Sequence, residues 1–448
     1  MFKKTSKIGI LAVFAIAALL AWQGVGVTST HAQGDDGWTT DLATSLGVTL
    51  LQEFDSSGPA AWDPAANPNV FITTEGPGYG GLLSGVEFPG IAIIDSTTQE
   101  VVASQSYDLA WDGVFEPHGL GVSSDGQWIY LPSGVGTSFG GGGGRLLIID
   151  AYTLKLNKVL GLGGRVHHAK SFINGQGQPM SLAYGWGQPS FVMDPLDDNR
   201  IVGGLTFGDQ GAEGYLYFID PAGEFMYVGG RLPNRSELHQ SLWIKVSTET
   251  WEVVDNITVD DNAPIWAAFT ADGKFAYFSG GHSSQVFQYD IEAEEMVGYA
   301  RAGVEGPYGI VLNWDETEIY TVGKGEGSHN RGKAIGFVQI SQMQSRHRAS
   351  DLIVTNCVRG DHATLHPDPD LNQIWISCNS SFELVVVDLD LKEVISRIPM
   401  PNGGSTHSGS FVQYSVEEMG GFIGEVLSDQ NGLQGSALAL KRELLEGH

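Results

Sequence analysis

Five of the chain's twelve histidines share a local setting. His118 stands in "EPHG", His167 and His168 in "RVHHAK", His362 in "GDHATL" and His407 in "STHSG", each at or beside the start of a short apolar run. Three more, His239 ("SELHQSLW"), His282 ("SGGHSSQ") and His329 ("GEGSHNRG"), lie in polar, mostly Gly- and Ser-rich stretches between such runs. Neutral imidazole nitrogen is a good ligand for copper, zinc, iron or nickel. Gathered at one point, these side chains would form a transition-metal site. Taken singly, a histidine before a strand most often caps a loop by hydrogen bonds. The chemistry therefore depends on whether the fold brings them together.

The fold can be read from a repeat. "GVFEPHGLGVSSDGQWIYLP" has an apolar strand, a polar turn and a second strand with aromatics. Near-copies start at Glu213, Ala263, Gly306 and Asp361, a weaker one at Val166 and a half copy at Thr406. Each complete copy is followed by a second strand pair of the form "RLLIIDAYTLKLNKVLGL", joined by a β-turn. The unit thus has four antiparallel strands, A to D. The last apolar residues of strand A are Val122, Phe172, Ile219, Phe269, Leu312, Leu365 and Phe411, spaced by 50, 47, 50, 43, 53 and 46 residues. Four-stranded units at this period indicate an all-β, seven-bladed β-propeller. The half copy at Thr406 has no blade after it, and the partial blade "NVFITTEGPGYGG…GIAIIDSTTQEVVASQSY" lacks a strand A. The C-terminal strand is therefore expected to complete the N-terminal blade and close the ring. The propeller is assigned to 33–419, and the tail 420–448 is expected to form a short helix outside it.

Antiparallel alternation puts the entry to strand A and the B–C loop on one face, and the A–B and C–D turns on the other. All eight histidines fall on the first face. His362, His407, His118 and the His167–His168 pair belong to consecutive blades, seven, one, two and three. The matching positions of the other blades are near Tyr215, Ile265 and Tyr308. Cys357 precedes strand A of blade seven and Cys378 ends its strand B; those ends meet, which favours a disulfide pinning the loop to His362.

"MFKKTSKIGILAVFAIAALLAW", followed by "TSTHAQ", reads as a signal peptide cleaved before Gln33, with an uncleaved anchor as the alternative, and export would permit the disulfide. No further segment is apolar enough to span a membrane. The net charge of −28 argues against nucleic acid as a partner. "SFGGGGGR" (138–145) lacks the Lys-Ser/Thr and helix of a phosphate loop and reads as a B–C loop. "HPDPDLN" (366–372) and "DPLDDNR" (194–200) are readable as calcium loops or as plain turns.

The segments "PHGLGVSSDGQWIYLP" and "LLIIDAYTLKLNKVLGL" resemble the YVTN-type seven-bladed propellers of exported bacterial proteins, a likeness that covers nearly the whole mature chain. The histidine-lined mouth, with paired His167–His168 and the single "EPHG", resembles the propeller of nitrous oxide reductase, which holds a multinuclear copper cluster on histidines. No cupredoxin domain or Cys-rich electron-entry copper motif accompanies the propeller here. The resemblance thus implies a copper-binding relative or a redox accessory protein with a partner protein, rather than the full reductase. Two other functions fit the same fold: a hydrolase or lactonase with a hard metal ion, whose candidate ligands are Glu116, Glu213 and Asp361, and a binding or scaffold propeller without metal.

Overall fold

The computed structural model describes residues 27–31, 41–77, 86–109, 117–132, 144–162, 166–185, 189–207, 213–231, 241–259, 264–281, 283–324, 334–343, 351–416 and 421–447. These residues build seven antiparallel sheets arranged as the blades of a propeller. Strand A is Gly409–Val416 in blade one, Gly121–Val122 in blade two and His168–Ile173 in blade three. It is Glu213–Ile219, Pro264–Phe269, Pro307–Leu312 and Gly360–Leu365 in blades four to seven. The expected closure is present: Gly409–Val416 pairs with Asn69–Glu75, with Asn69 opposite Gln413 and Thr73 opposite Gly409.

The turns follow from the repeat. In the C–D turns a terminal Asp carboxylate accepts the next backbone N–H groups: Asp150 Oδ1 takes those of Tyr152 and Thr153, and Asp388 Oδ1 those of Asp390 and Leu391. "DPLDDNR" and "HPDPDLN" are such connections, a C–D turn of blade three and an A–B turn of blade seven. Between blades, aromatic side chains fill the wedge. Phe71, Phe411 and Trp375 interlock blades one and seven, and Trp243 stacks on Phe278 between blades four and five. Each such side chain removes about 150–250 Å² from water.

Three features depart from a plain four-stranded repeat. Val48–Glu53 adds an outer strand to blade two, and Val27–His31 adds one to blade three. Cleavage before Gln33 would remove the second and leave Arg200–Phe207 as the edge. Most of the expected leader, 1–26, lies outside the described residues. The third feature corrects the tail. Its helix exists, Gly435–Glu446, but it does not stand apart from the ring. Phe422–Asp429 pairs with Gly409–Val416 and adds a strand on the channel side of blade one. The helix then lies across the A–B turns: Lys441 Nζ donates to Asn313 O at 2.9 Å and Arg442 Nε to Ala271 O at 2.8 Å. The inner strand passes the blade-two turn so closely that a Cβ on Gly424 would sit 2.7 Å from Gly126 Cα. The repeat carries no trace of this segment because it has no counterpart in the other blades. Among the described residues no helix is long and apolar enough to cross a membrane.

Cys357 and Cys378 form the expected disulfide, 21 residues apart. Closing a loop of that length in the unfolded chain is worth about 3 kcal/mol. A Cys357→Ser/Cys378→Ser variant should therefore unfold at lower denaturant, and reduction of the wild type should have the same effect; an unchanged midpoint would contradict a structural bridge.

Candidate functional site

The five strand-entry histidines meet in one buried cluster. Ring centroids lie 3.4 Å apart for His118–His407, 4.1 Å for His118–His167 and 4.3 Å for His167–His168. His362 is 4.7 Å from His407 and 5.1 Å from His168. All five are at most 2% exposed. His239, His282, His329 and Glu116 lie outside the described residues. Glu213 begins strand A of blade four.

Backbone detail explains the convergence. In blade two, Gly119 N donates to His167 O and Gly119 O accepts from Ala169 N, so this stretch runs beside the start of blade three. Gly119 is required there, since a Cβ would stand 1.8 Å from His168 Nδ1. In blades four to seven the A–B register shifts near the start of strand A. Such a bulge re-aims side chains that would otherwise alternate. In blade seven it lies between Gly360 and Ala363, and both Asp361 and His362 reach the cluster. In blade five it brings Trp266, rather than the expected Ile265 position, to 4.5 Å from His362. A serine at the end of strand B supports each of these two bulges. Ser377 Oγ accepts from His362 N and donates to His407 O at 2.6 Å; Ser279 Oγ accepts from Trp266 N and donates to Tyr308 O at 3.0 Å. Tyr215 stacks on His167 and Tyr308 packs edge-on to His362, as those positions suggested.

Two overlapping donor groups result. His118, His168 and His407 each bring a ligand atom within 4.8 Å of the others, and so do Asp361, His362 and His407. His407 belongs to both. Its Nδ1 lies 3.0 Å from Asp361 Oδ2 and 2.9 Å from the Asn379 carboxamide. Asp361 is also 3.0 Å from Lys324 Nζ. Burial lowers the pKa of His118, His168 and His362 well below the usual value, with neighbouring histidines adding to the effect in each. Burial likewise lowers His407, although Asp361 opposes it. The rings are therefore neutral and carry lone pairs. Burial alone would raise Asp361, but His407, Lys324 and His362 hold it well below the carboxylate range.

Lys324, Asn379 and Gln430 were not singled out from sequence. The first two had a weak signal: "VGKG" and "SCNS" place them directly after strand B, where blade five has a glycine. Gln430 had none, since it lies in the tail.

His366, at an A–B turn, is pushed by burial to about 4. Its folded pKa lies below the ordinary 6.5, as do those of His118, His168, His362 and His407. The unfolded chain thus binds more protons below that value, and stability falls as pH drops through 6.5. His366 alone contributes about 3 kcal/mol across this window. Asp361 adds a loss at lower pH. Denaturant midpoints at pH 7.5, 6 and 5 should decline in that order; a flat profile would contradict neutral buried rings.

No family model matches the chain, and no curated protein matches it in sequence. Solved structures do. A putative 6-phosphogluconolactonase from Bacteroides uniformis is 14% identical with a TM-score of 0.55, over 76% of this chain and 99% of that one. The periplasmic gluconolactonase of Pseudomonas aeruginosa is 16% identical with a TM-score of 0.53, over 77% and 99%. Dihydro-heme d1 dehydrogenase NirN, in complex with DHE, is 12% identical with a TM-score of 0.52, over 91% and 84%. At such identities the likeness is one of architecture, and what this chain shares with these proteins is the β-propeller fold.

Proposed function

We propose that this protein is an exported propeller that binds a transition metal, copper foremost, at the histidine cluster. One observation carries the reading. Among the described residues, both ring nitrogens of His118 and of His362, and Nε2 of His168 and of His407, are buried without a hydrogen-bond partner. A buried polar group left so costs about 1–3 kcal/mol, and a typical fold has only about 5–15 kcal/mol in hand. Several such groups side by side are hard to reconcile with a purely structural role. A cation accepting the one lone pair of each neutral ring removes much of this cost.

The donor chemistry favours copper. Imidazole suits copper, zinc, iron and nickel, and copper(II) binds most tightly among the divalent ions. His118, His168 and His407 would form a nitrogen group, Asp361, His362 and His407 a mixed one, and His167 would complete the arc. His239, His282 and His329 remain proposed outer ligands. The Asp361 carboxylate against His407 Nδ1 is the outer support that metal-bound histidines usually have, and it would direct Nε2 to the ion. The charged and apolar leader and the disulfide support export, as does the fold's occurrence in a periplasmic gluconolactonase. If the bound metal cycles between redox states, a small molecule would meet it at this mouth and a partner protein would supply electrons. The hydrolase or lactonase reading rests on Asp361, the carboxylate in the described groups; a nitrogen-rich set matches a hard ion poorly.

Protein loaded with copper and then desalted should retain the metal. His407→Ala, common to both groups, should weaken binding on the order of 100-fold or more, since even supporting residues account for about 10–100-fold. His118→Ala should affect one group and weaken it less. No retained copper in the wild type, or equal retention in both variants, would contradict the proposal.

A further inference from the structure

We propose that Gln430, carried into the channel by the C-terminal tail, is a positioning residue that sets the tautomer of His168 and presents its Nε2 to the metal. This rests on the metal-binding reading above and extends the site to a segment outside the propeller repeat. Gln430 is 3% exposed and touches two blades. Its Nε2 donates to Leu120 O at 3.0 Å, and its Oε1 lies 2.6 Å from His168 Nδ1. The first contact orients the carboxamide, because a carbonyl oxygen can be met only by the amide nitrogen. Oε1 therefore faces the ring, and an oxygen acceptor requires Nδ1 to carry the hydrogen. A neutral imidazole has one N–H, so Nε2 keeps its lone pair. That nitrogen is buried and has no hydrogen-bond partner among the described residues, and His168 belongs to the His118–His168–His407 group.

The ring has little freedom to escape this arrangement. It stacks on Tyr184 with an interplanar angle of 6°, and it lies so close to Gly119 that a Cβ there would stand 1.8 Å from Nδ1. Gln430 is itself held. Asn431 brackets the backbone of Ile219, accepting from its N–H at 2.8 Å and donating to its carbonyl at 3.0 Å. Lys441 and Arg442 fasten the helix that follows. The tail thus spans the channel from the A–B turns to the histidine mouth, and its docking fixes the proton on one ligand.

The test uses the full chain labelled with 15N-histidine. In the metal-free wild type, long-range proton–nitrogen spectra should show His168 with hydrogen on Nδ1, the peak being assigned by its loss in His168→Asn. Gln430→Ala should lose that preference, whereas Gln430→Glu, which keeps an oxygen acceptor, should retain it. Titrated with copper(I) alone, Gln430→Ala should bind about 10–100-fold more weakly, and Gln430→Glu should stay close to wild type. Hydrogen on Nε2 in the wild type overturns the proposal whether or not the alanine variant folds. Equal copper(I) affinity in Gln430→Ala also overturns it while leaving metal binding intact. Failure of the wild type to bind copper would count against the function instead, with the tautomer still decided by the spectra.

Discussion

The pairing of Gly409–Val416 with Asn69–Glu75 is the interaction on which the rest of the structure depends. It joins strands from opposite ends of the chain into one sheet. The entropy of closing so long a loop grows only slowly with its length, and the seam is well filled by Phe71, Phe411 and Trp375. Closure also delivers His407. Its N–H donates to Thr74 Oγ1 at 2.8 Å, on the strand it pairs beside, and its ring stands against His118. Because His407 belongs to both donor groups, a propeller that failed to close would have neither.

Closure sets the blades, and small irregularities then aim the side chains. A regular strand sends successive residues to opposite faces. The bulges at the starts of strand A relax that rule, so Asp361 and His362 can serve one site. Ser377 ties this bulge to the carbonyl of His407, so the geometry of blade seven is transmitted directly to blade one. The cluster is polar and tightly packed, and burial keeps the imidazoles of His118, His168, His362 and His407 neutral and available as ligands.

Much of this was legible in the sequence, because it repeats. The strand A ends at Val122, Ile219, Phe269, Leu312 and Leu365 coincide with the observed strand ends. Closure followed from one blade lacking a strand that the other end of the chain supplied. His118, His167, His168, His362 and His407 were found because each sits at the same point of the repeat. What departs from the repeat was harder to see. Trp266 replaced the Ile265 position because a bulge adds one residue without altering the apolar pattern. The inner strand Phe422–Asp429, its helix and Gln430 have no equivalents to compare with, and their role appears only when the channel they fill is seen.

The most direct test is the X-ray absorption spectrum of the copper-loaded protein. A first shell of nitrogen and oxygen neighbours at about 2 Å, with the outer-shell scattering of several imidazole rings that weakens in His407→Ala, is the predicted result. A shell of oxygen neighbours without imidazole scattering, or a spectrum unchanged by His407→Ala, would show that copper lies elsewhere and that the buried histidines are not its ligands.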